Sequence, residues 1–332
     1  MKLVIQIPAF DEEATIGRAL AALPRSLPGI SRVALLVVDD GSKDKTAELA
    51  RAGGADRVVR FSAHRGLAAA FSAGLEEALA MGADIIVNFD ADLQYDPADL
   101  PALLAPILEG RADLVVGDRG PGSLEHFSPG KRLLQRLGSW AVRQASGLTV
   151  SDAASGFRAL TSEAARRVNV FSKMTYTLET LIQAGSKDLR VASVPVRALP
   201  PVRRSRLFPS VTRYVLVQGA NILRITALYK PLKIFSAAAV LFLFAGAALF
   251  ARFLYFYVSG RNPAGHVQSL ILAAVLVVVG VQTFLIALLA DLVAINRTLL
   301  EDLKLRERGR QSEIRNSKSE IPPTSNPPVS AT

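Results

Sequence analysis

The chain has 332 residues, enough for one large α/β domain and an appendage. It holds no cysteine, which excludes disulfides, thiolate metal sites, iron–sulfur clusters and cysteine nucleophiles and leaves carboxylates and three histidines to hold any metal. The formal net charge of +10 suggests nucleic acid, but eleven positive charges lie between Leu189 and Ala290, a stretch without Asp or Glu, and a basic block beside apolar segments suits an anionic membrane surface or a lipid phosphate better than a nucleic-acid groove.

Over residues 1–207, short β-branched runs alternate with helical stretches. Strands are predicted at Leu3–Ile7, Val33–Val38, Val58–Phe61, Ile85–Phe89 and Leu114–Val116, and helices at Glu12–Ala22, Thr46–Arg51, Gly66–Met81 and Ala98–Leu108. That order predicts an α/β domain with a mostly parallel sheet. Met1–Phe10 carries one lysine and no long apolar run, so the domain is expected on the cytosolic side. Residues 208–230 mix apolar side chains with Arg213, Gln218, Asn221 and Arg224 and read as an interfacial amphipathic helix.

Within residues 231–298, the apolar runs Ile234–Val258 and Val267–Ala290 are each long enough to cross a bilayer core of about 30 Å. The short Ser259–His266 link forces them into a hairpin. Lys230 and Lys233 precede the first run, and Arg297, Lys304, Arg306, Arg308 and Arg310 follow the second, which predicts a two-span membrane protein with both ends cytoplasmic. Gly246, Ala247 and Ala248 are small enough to permit a homo-oligomer through these helices. Residues 299–332 are read as a charged, disordered tail.

Ligands of parallel sheets bind outside the carboxyl ends of the strands. Two predicted strands end there in acids: Asp39-Asp40-Gly41-Ser42 and Asp90-Ala91-Asp92-Leu93-Gln94. In extended backbone, Asp90 and Asp92 would face one side about 7 Å apart, placed to serve one Mg2+ or Mn2+ ion. The plainer alternative is that such acids cap turns and helices.

Together with Pro8-Ala9-Phe10-Asp11-Glu12-Glu13, these motifs resemble, in order and spacing, the family 2 glycosyltransferases of the Rossmann-like GT-A fold. Asp152-Ala153-Ala154-Ser155-Gly156-Phe157-Arg158 and Arg203-Arg204-Ser205-Arg206 resemble the subgroup of dolichyl-phosphate mannose synthases and polyisoprenyl-phosphate glucosyltransferases. The resemblance implies metal-dependent, inverting transfer of a sugar from a UDP- or GDP-linked nucleotide-sugar donor to undecaprenyl or dolichyl phosphate. It assigns Pro8, Phe10, Glu12, Val37 and Asp39 to the donor nucleoside, and Asp90, Ala91, Asp92 and Gln94 to the metal and diphosphate. Arg119 and Arg132 would approach the phosphates, and Arg203 and Arg206 would grip the lipid phosphate or donor diphosphate. Asp152 is a reserve base or acceptor-orienting group, and Glu179 resembles a position of structural or donor-side use.

The sequence departs from the family at Phe10, usually Tyr, and Asp11, usually Asn. His64 stands where the subgroup often has Asn and is read as a helix-start residue, not a metal ligand. His126 and His266 are given no role, and Trp140 is expected to pack. A lipid phosphate is already an oxyanion, so the acceptor needs no general base; it needs cations to offset repulsion from the donor diphosphate. A processive polysaccharide synthase is the nearest alternative, although two spans are too few for its channel. The other is a membrane-anchored partner that has lost catalysis.

Overall fold

A computed structural model of the chain describes residues 1–120, 146–170, 176–199, 231–260 and 267–319, together with residue 143 and a few positions within 219–229. The chain divides into two compact units, Met1–Tyr229 and Lys230–Thr332.

The first unit is built on β1 (Lys2–Ala9), β2 (Arg32–Asp39), β3 (Arg57–Arg60), β4 (Ile85–Asn88), β5 (Leu114–Asp118), β6 (Arg158–Thr161) and β7 (Val191–Pro195). These form one sheet in the order β3-β2-β1-β4-β6-β5-β7. Every described pairing is parallel except those of β6, which runs antiparallel to both β4 and β5. The five predicted strands are present. β6 and β7 had no sequence reading, because β6 (Arg-Ala-Leu-Thr) has a single β-branched residue and β7 carries an edge rather than a core pattern.

Helices α1 (Ile16–Ala22), α2 (Thr46–Ala52), α3 (Leu67–Ala80), α4 (Leu100–Leu108), α5 (Ser162–Arg167) and α6 (Thr177–Ser186) cover the sheet. Alternation along the strands splits the core into two layers, as expected of a sheet buried on both faces. Leu3, Ile5, Ile7, Val33, Leu35 and Val37 pack in one layer, and Val4, Ala34, Leu36 and Val38 in the other. Helix α1 starts four residues later than its apolar spacing predicts. Glu12 instead opens a turn whose carbonyl accepts from the amides of Thr15 and Ile16, while its own amide donates to Thr46 Oγ1 at 2.8 Å.

The second unit contains α7 (Pro231–Val258) and α8 (Val267–Ser319). The stretches Pro231–Val258 and Val267–Arg297 contain 18-residue runs of mean hydropathy 2.4 and 2.7 and are long and apolar enough to cross a membrane. Leu241, Phe244 and Val258 are 66%, 73% and 76% exposed, which water would disfavour and lipid would not. The helices pack on small residues: a Cβ on Gly246 would come within 2.9 Å of Val277 Cγ2, and one on Gly280 within 2.8 Å of Leu243 Cγ. Gly246, read in the sequence as available for self-association, is thus used inside the hairpin. Helix α8 also runs through to Ser319, where disorder was expected from residue 299. The segment Leu299–Arg308 is rich in Leu, Glu, Lys and Arg, all good helix formers, and it continues an existing helix without a new nucleation cost. Most of the expected interfacial helix at 208–230 and most of the Ser259–His266 link lie outside the described residues.

Candidate active site

Parallel pairing of β1 with β2 places Pro8 beside Val38 and Ala9 beside Asp39, so the loops after both strands leave the sheet together. They are laced to each other. The Asp11 amide donates to Ser42 Oγ at 2.9 Å, and the Lys43 amide to Asp11 Oδ1 at 2.9 Å. Asp11 has φ of 51°, a left-handed conformation that Asp and Asn tolerate better than most residues, so the departure from Asn preserves the turn. Gly41 has φ of 73°, and a Cβ there would lie 2.5 Å from the carbonyl carbon of Ala63. Only glycine lets this turn meet the loop before α3.

The two acids of that turn divide their work. Asp40 accepts from the amides of Arg65 (2.7 Å) and Gly66 (2.9 Å) and lies 2.9 Å from His64 Nδ1. The His64 ring lies 4.0 Å from that of Phe10, inclined by 33°. His64 therefore serves the loop that opens α3 and faces Phe10, in keeping with its reading as a helix-start residue. Asp39 is fully buried; its Oδ1 accepts from the Ser42 amide at 2.9 Å, and Arg60 Nε lies 3.1 Å from Oδ2. Among the residues assigned to the nucleoside, Pro8 and Val37 are buried in their strands, and Val37 belongs to a core layer. Ala91 is buried in the same layer. These three can offer backbone, not side chains, to a ligand. Glu12 accepts from Thr15 Oγ1 at 2.8 Å and stabilises its own turn.

The second acid loop follows β4. Asp92 Oδ1 accepts from the Gln94 amide (3.1 Å) and Oδ2 from Gln94 Nε2 (2.6 Å), so the three assigned metal residues form one tight turn with Leu93 at φ of 61°. Asn88 Nδ2 lies 3.4 Å from Asp90 Oδ1. Burial first, and then the neighbouring Asp92 carboxylate, push the pKa of Asp90 up to about 7.

Arg119 follows β5 and forks onto Asp152, with Nε 2.7 Å from Oδ2 and Nη2 3.0 Å from Oδ1. Burial works against its charge, yet Tyr95, Asp152 and Asp90 hold its pKa above the ordinary arginine value. Asp152 is 4% exposed. Its carboxylate is thus committed to orienting Arg119, which favours an orienting role over that of a base. Arg158, given no role in the sequence reading, is fully buried; it donates to the carbonyls of Ser155 (2.8 Å), Ala153 (2.9 Å) and Thr177 (2.7 Å) and to Thr180 Oγ1. Burial pulls its pKa down to about 10. It ties the 152–158 loop to α6, on which Glu179 is also buried. The signal in the sequence was its place at the end of the Asp152–Arg158 motif. Arg132, Arg203 and Arg206, with His126, Trp140 and His266, lie outside the described residues.

Among the described residues, no three His, Cys, Asp or Glu side chains cluster to form a complete metal cage. The donor set nevertheless fits a hard divalent cation. Asp90 and Asp92 offer oxygens only, burial and then their mutual repulsion raise Asp90's pKa, and a site with two carboxylates leaves positions for phosphate oxygens and water.

Comparison with known proteins adds four findings. Residues 4–168 match the family described as Glycosyl transferase family 2. The chain is 31% identical over 180 residues to the undecaprenyl-phosphate mannosyltransferase of Micrococcus luteus, covering 51% of this chain and 70% of that protein. It is 31% identical over 206 residues to the polyprenol monophosphomannose synthase of Mycolicibacterium smegmatis, covering 59% and 76%. Among solved structures, glucosyl-3-phosphoglycerate synthase from Mycobacterium tuberculosis with Mn2+, UDP-glucose and phosphoglyceric acid superposes with a TM-score of 0.52 at 25% identity, over 68% of this chain and 80% of that one.

Proposed function

The chain belongs to glycosyl transferase family 2, with the GT-A fold, and we propose that it transfers a sugar from a UDP- or GDP-linked donor to the phosphate of a polyprenyl lipid. The observation that carries this reading is that β4 and β5 flank β6 and end on the same edge of the sheet, so an acid loop suited to a diphosphate-bound cation and Arg119, suited to a phosphate, leave it together, with the charges of Asp90 and Arg119 acting on each other. The apolar hairpin that follows would keep the domain beside its lipid acceptor.

Mg2+ or Mn2+ held by Asp90 and Asp92, with Gln94 beside them, would stabilise negative charge on the diphosphate leaving group. The Asp39 turn and the Phe10–His64 wall would receive the nucleoside. Arg119, aimed by Asp152, would draw the lipid phosphate toward the sugar and offset its repulsion from the diphosphate. Arg132, Arg203 and Arg206 are proposed to share that task. The acceptor oxygen is already ionised, so direct displacement with inversion needs no base. Basic residues flanking the hairpin support a cytoplasmic catalytic domain.

The test uses full-length protein in detergent, supplied with radiolabelled UDP- and GDP-sugars, undecaprenyl or dolichyl phosphate, and Mg2+ or Mn2+. Label should pass to the lipid phosphate with at least one donor. Label that passes only to a polyprenyl alcohol or to free saccharide would sink the proposal.

A further inference from the structure

Both ends of the acid loop converge on one residue, Gly156. Asn88, before the loop, donates through Nδ2 to the Gly156 carbonyl at 3.0 Å and to the Tyr176 hydroxyl at 2.8 Å. The Tyr176 hydroxyl itself donates to the same carbonyl at 3.3 Å. Tyr95, immediately after Gln94, accepts from the Gly156 amide through its hydroxyl at 3.0 Å. Gly156 is thus held at its carbonyl by Asn88 and Tyr176 and at its amide, in the preceding peptide group, by Tyr95.

The antiparallel register puts this residue there. Asn88 pairs with Arg158, so two steps along each strand Asp90 comes opposite Gly156. A Cβ on residue 156 would lie 2.7 Å from Asp90 Oδ2 and 3.0 Å from the Tyr176 hydroxyl. Asp90 therefore rests against a residue that has no side chain, and the loop cannot shift without breaking contacts at both of its ends. The supports behind it are rigid. Tyr176 stacks on Phe71 with centroids 3.8 Å apart and planes 4° apart. Asn88 Oδ1 accepts from Gln6 Nε2 at 3.0 Å, within the parallel β1–β4 register. Both tyrosines are buried, 3% and 1% exposed.

We infer that Tyr95 and Tyr176 are positioning residues for the cation site, acting through the two peptide groups that flank Gly156 to fix Asp90 and Asp92 relative to each other. Neither hydroxyl needs to touch metal or substrate. The inference rests on the reading of Asp90 and Asp92 as cation ligands. It adds that their affinity for a cation is set by a hydroxyl on each side of one glycine, because a ligand pair held in place loses less freedom on binding than one that must be ordered.

The experiment titrates Mn2+ into full-length protein in detergent with UDP or GDP present, reading free Mn2+ by electron paramagnetic resonance. Tyr95→Phe and Tyr176→Phe keep the rings and remove only the hydroxyls. Each should weaken Mn2+ binding roughly fivefold, the worth of about one hydrogen bond, and lower the thermal midpoint modestly because a buried partner is left unpaired, with metal-free nucleotide affinity unchanged. Gly156→Ala should weaken it further, because its methyl group would displace the Asp90 carboxylate. Unchanged Mn2+ affinity in both tyrosine variants overturns the inference, as does an equal loss of metal-free nucleotide binding, the mark of a merely structural role. Failure of the unsubstituted protein to bind Mn2+ with either nucleotide overturns the reading of the acids themselves, and the inference with it.

Discussion

Arg119 and Asp152, 33 residues apart in the chain, meet as a two-pronged ion pair with contacts of 2.7 and 3.0 Å. The pair is mostly buried, with side chains 22% and 6% exposed, so each charge depends on the other. Arg119→Ala strands a buried carboxylate and Asp152→Asn frees a buried guanidinium. Each should destabilise the protein by roughly 2–3 kcal/mol, and the double variant should cost less than the two together. Thermal denaturation of the four proteins checks this. Additive losses would show that the two side chains act independently. In the transfer assay, Asp152→Asn should raise KM for lipid phosphate more than KM for donor.

Asp92→Asn removes one charge of the acid pair and keeps its shape. Activity should fall by about a hundredfold or more, from loss of charge stabilisation at the leaving group. The same change should lower the pKa of Asp90, since repulsion from Asp92 helps to raise it. A variant that retains full activity with chelator present would rule out the cation reading.

The Phe10–His64 contact is expected to form one wall of the nucleoside site, with its rings 4.0 Å apart. Phe10→Ala should weaken binding of UDP or GDP by about fivefold to tenfold, while Phe10→Tyr should leave it within about twofold, because the stacking surface is kept. Isothermal titration calorimetry measures both. Indifference to Phe10→Ala would move the base elsewhere.

Asp56 supplies a pH prediction. Burial opposes its ionisation, but the Leu35 amide at 2.7 Å and the Arg25 guanidinium at 2.6 Å outweigh it and hold its pKa below the usual carboxylate value. A carboxylate whose folded pKa is depressed contributes stability that is complete above its unfolded pKa of about 3.9 and is lost as pH falls through the lower folded value. Asp56→Asn should therefore lower the thermal midpoint at pH 7 and flatten its decline below about pH 4. An unchanged slope would contradict the assignment.

The five core strands, the acid-bearing loops and the two apolar spans were legible in the sequence because each is a local pattern: alternation, a charged turn after a β-branched run, or twenty-odd apolar residues in succession. The Asp39–Asp40 motif was legible as a motif but not in its division of labour. Whether Asp40 caps the loop before α3 depends on where residues 64–66 come to lie. Val37 and Ala91 were assigned to the ligand from position in a motif, and side-chain direction placed them in the core.

By itself the sequence determined the family, the strand–helix order, the acids available for a cation and the apolar length of the hairpin, since all of these are written in neighbouring residues. Only the tertiary structure decided that β6 returns antiparallel between β4 and β5, and with it that Gly156 faces Asp90, that Arg158 is buried and that Asp152 reaches Arg119. Those relationships join residues that are distant in the chain. Their physical cause is strand register, which moves every side chain along a strand at once and leaves no local trace.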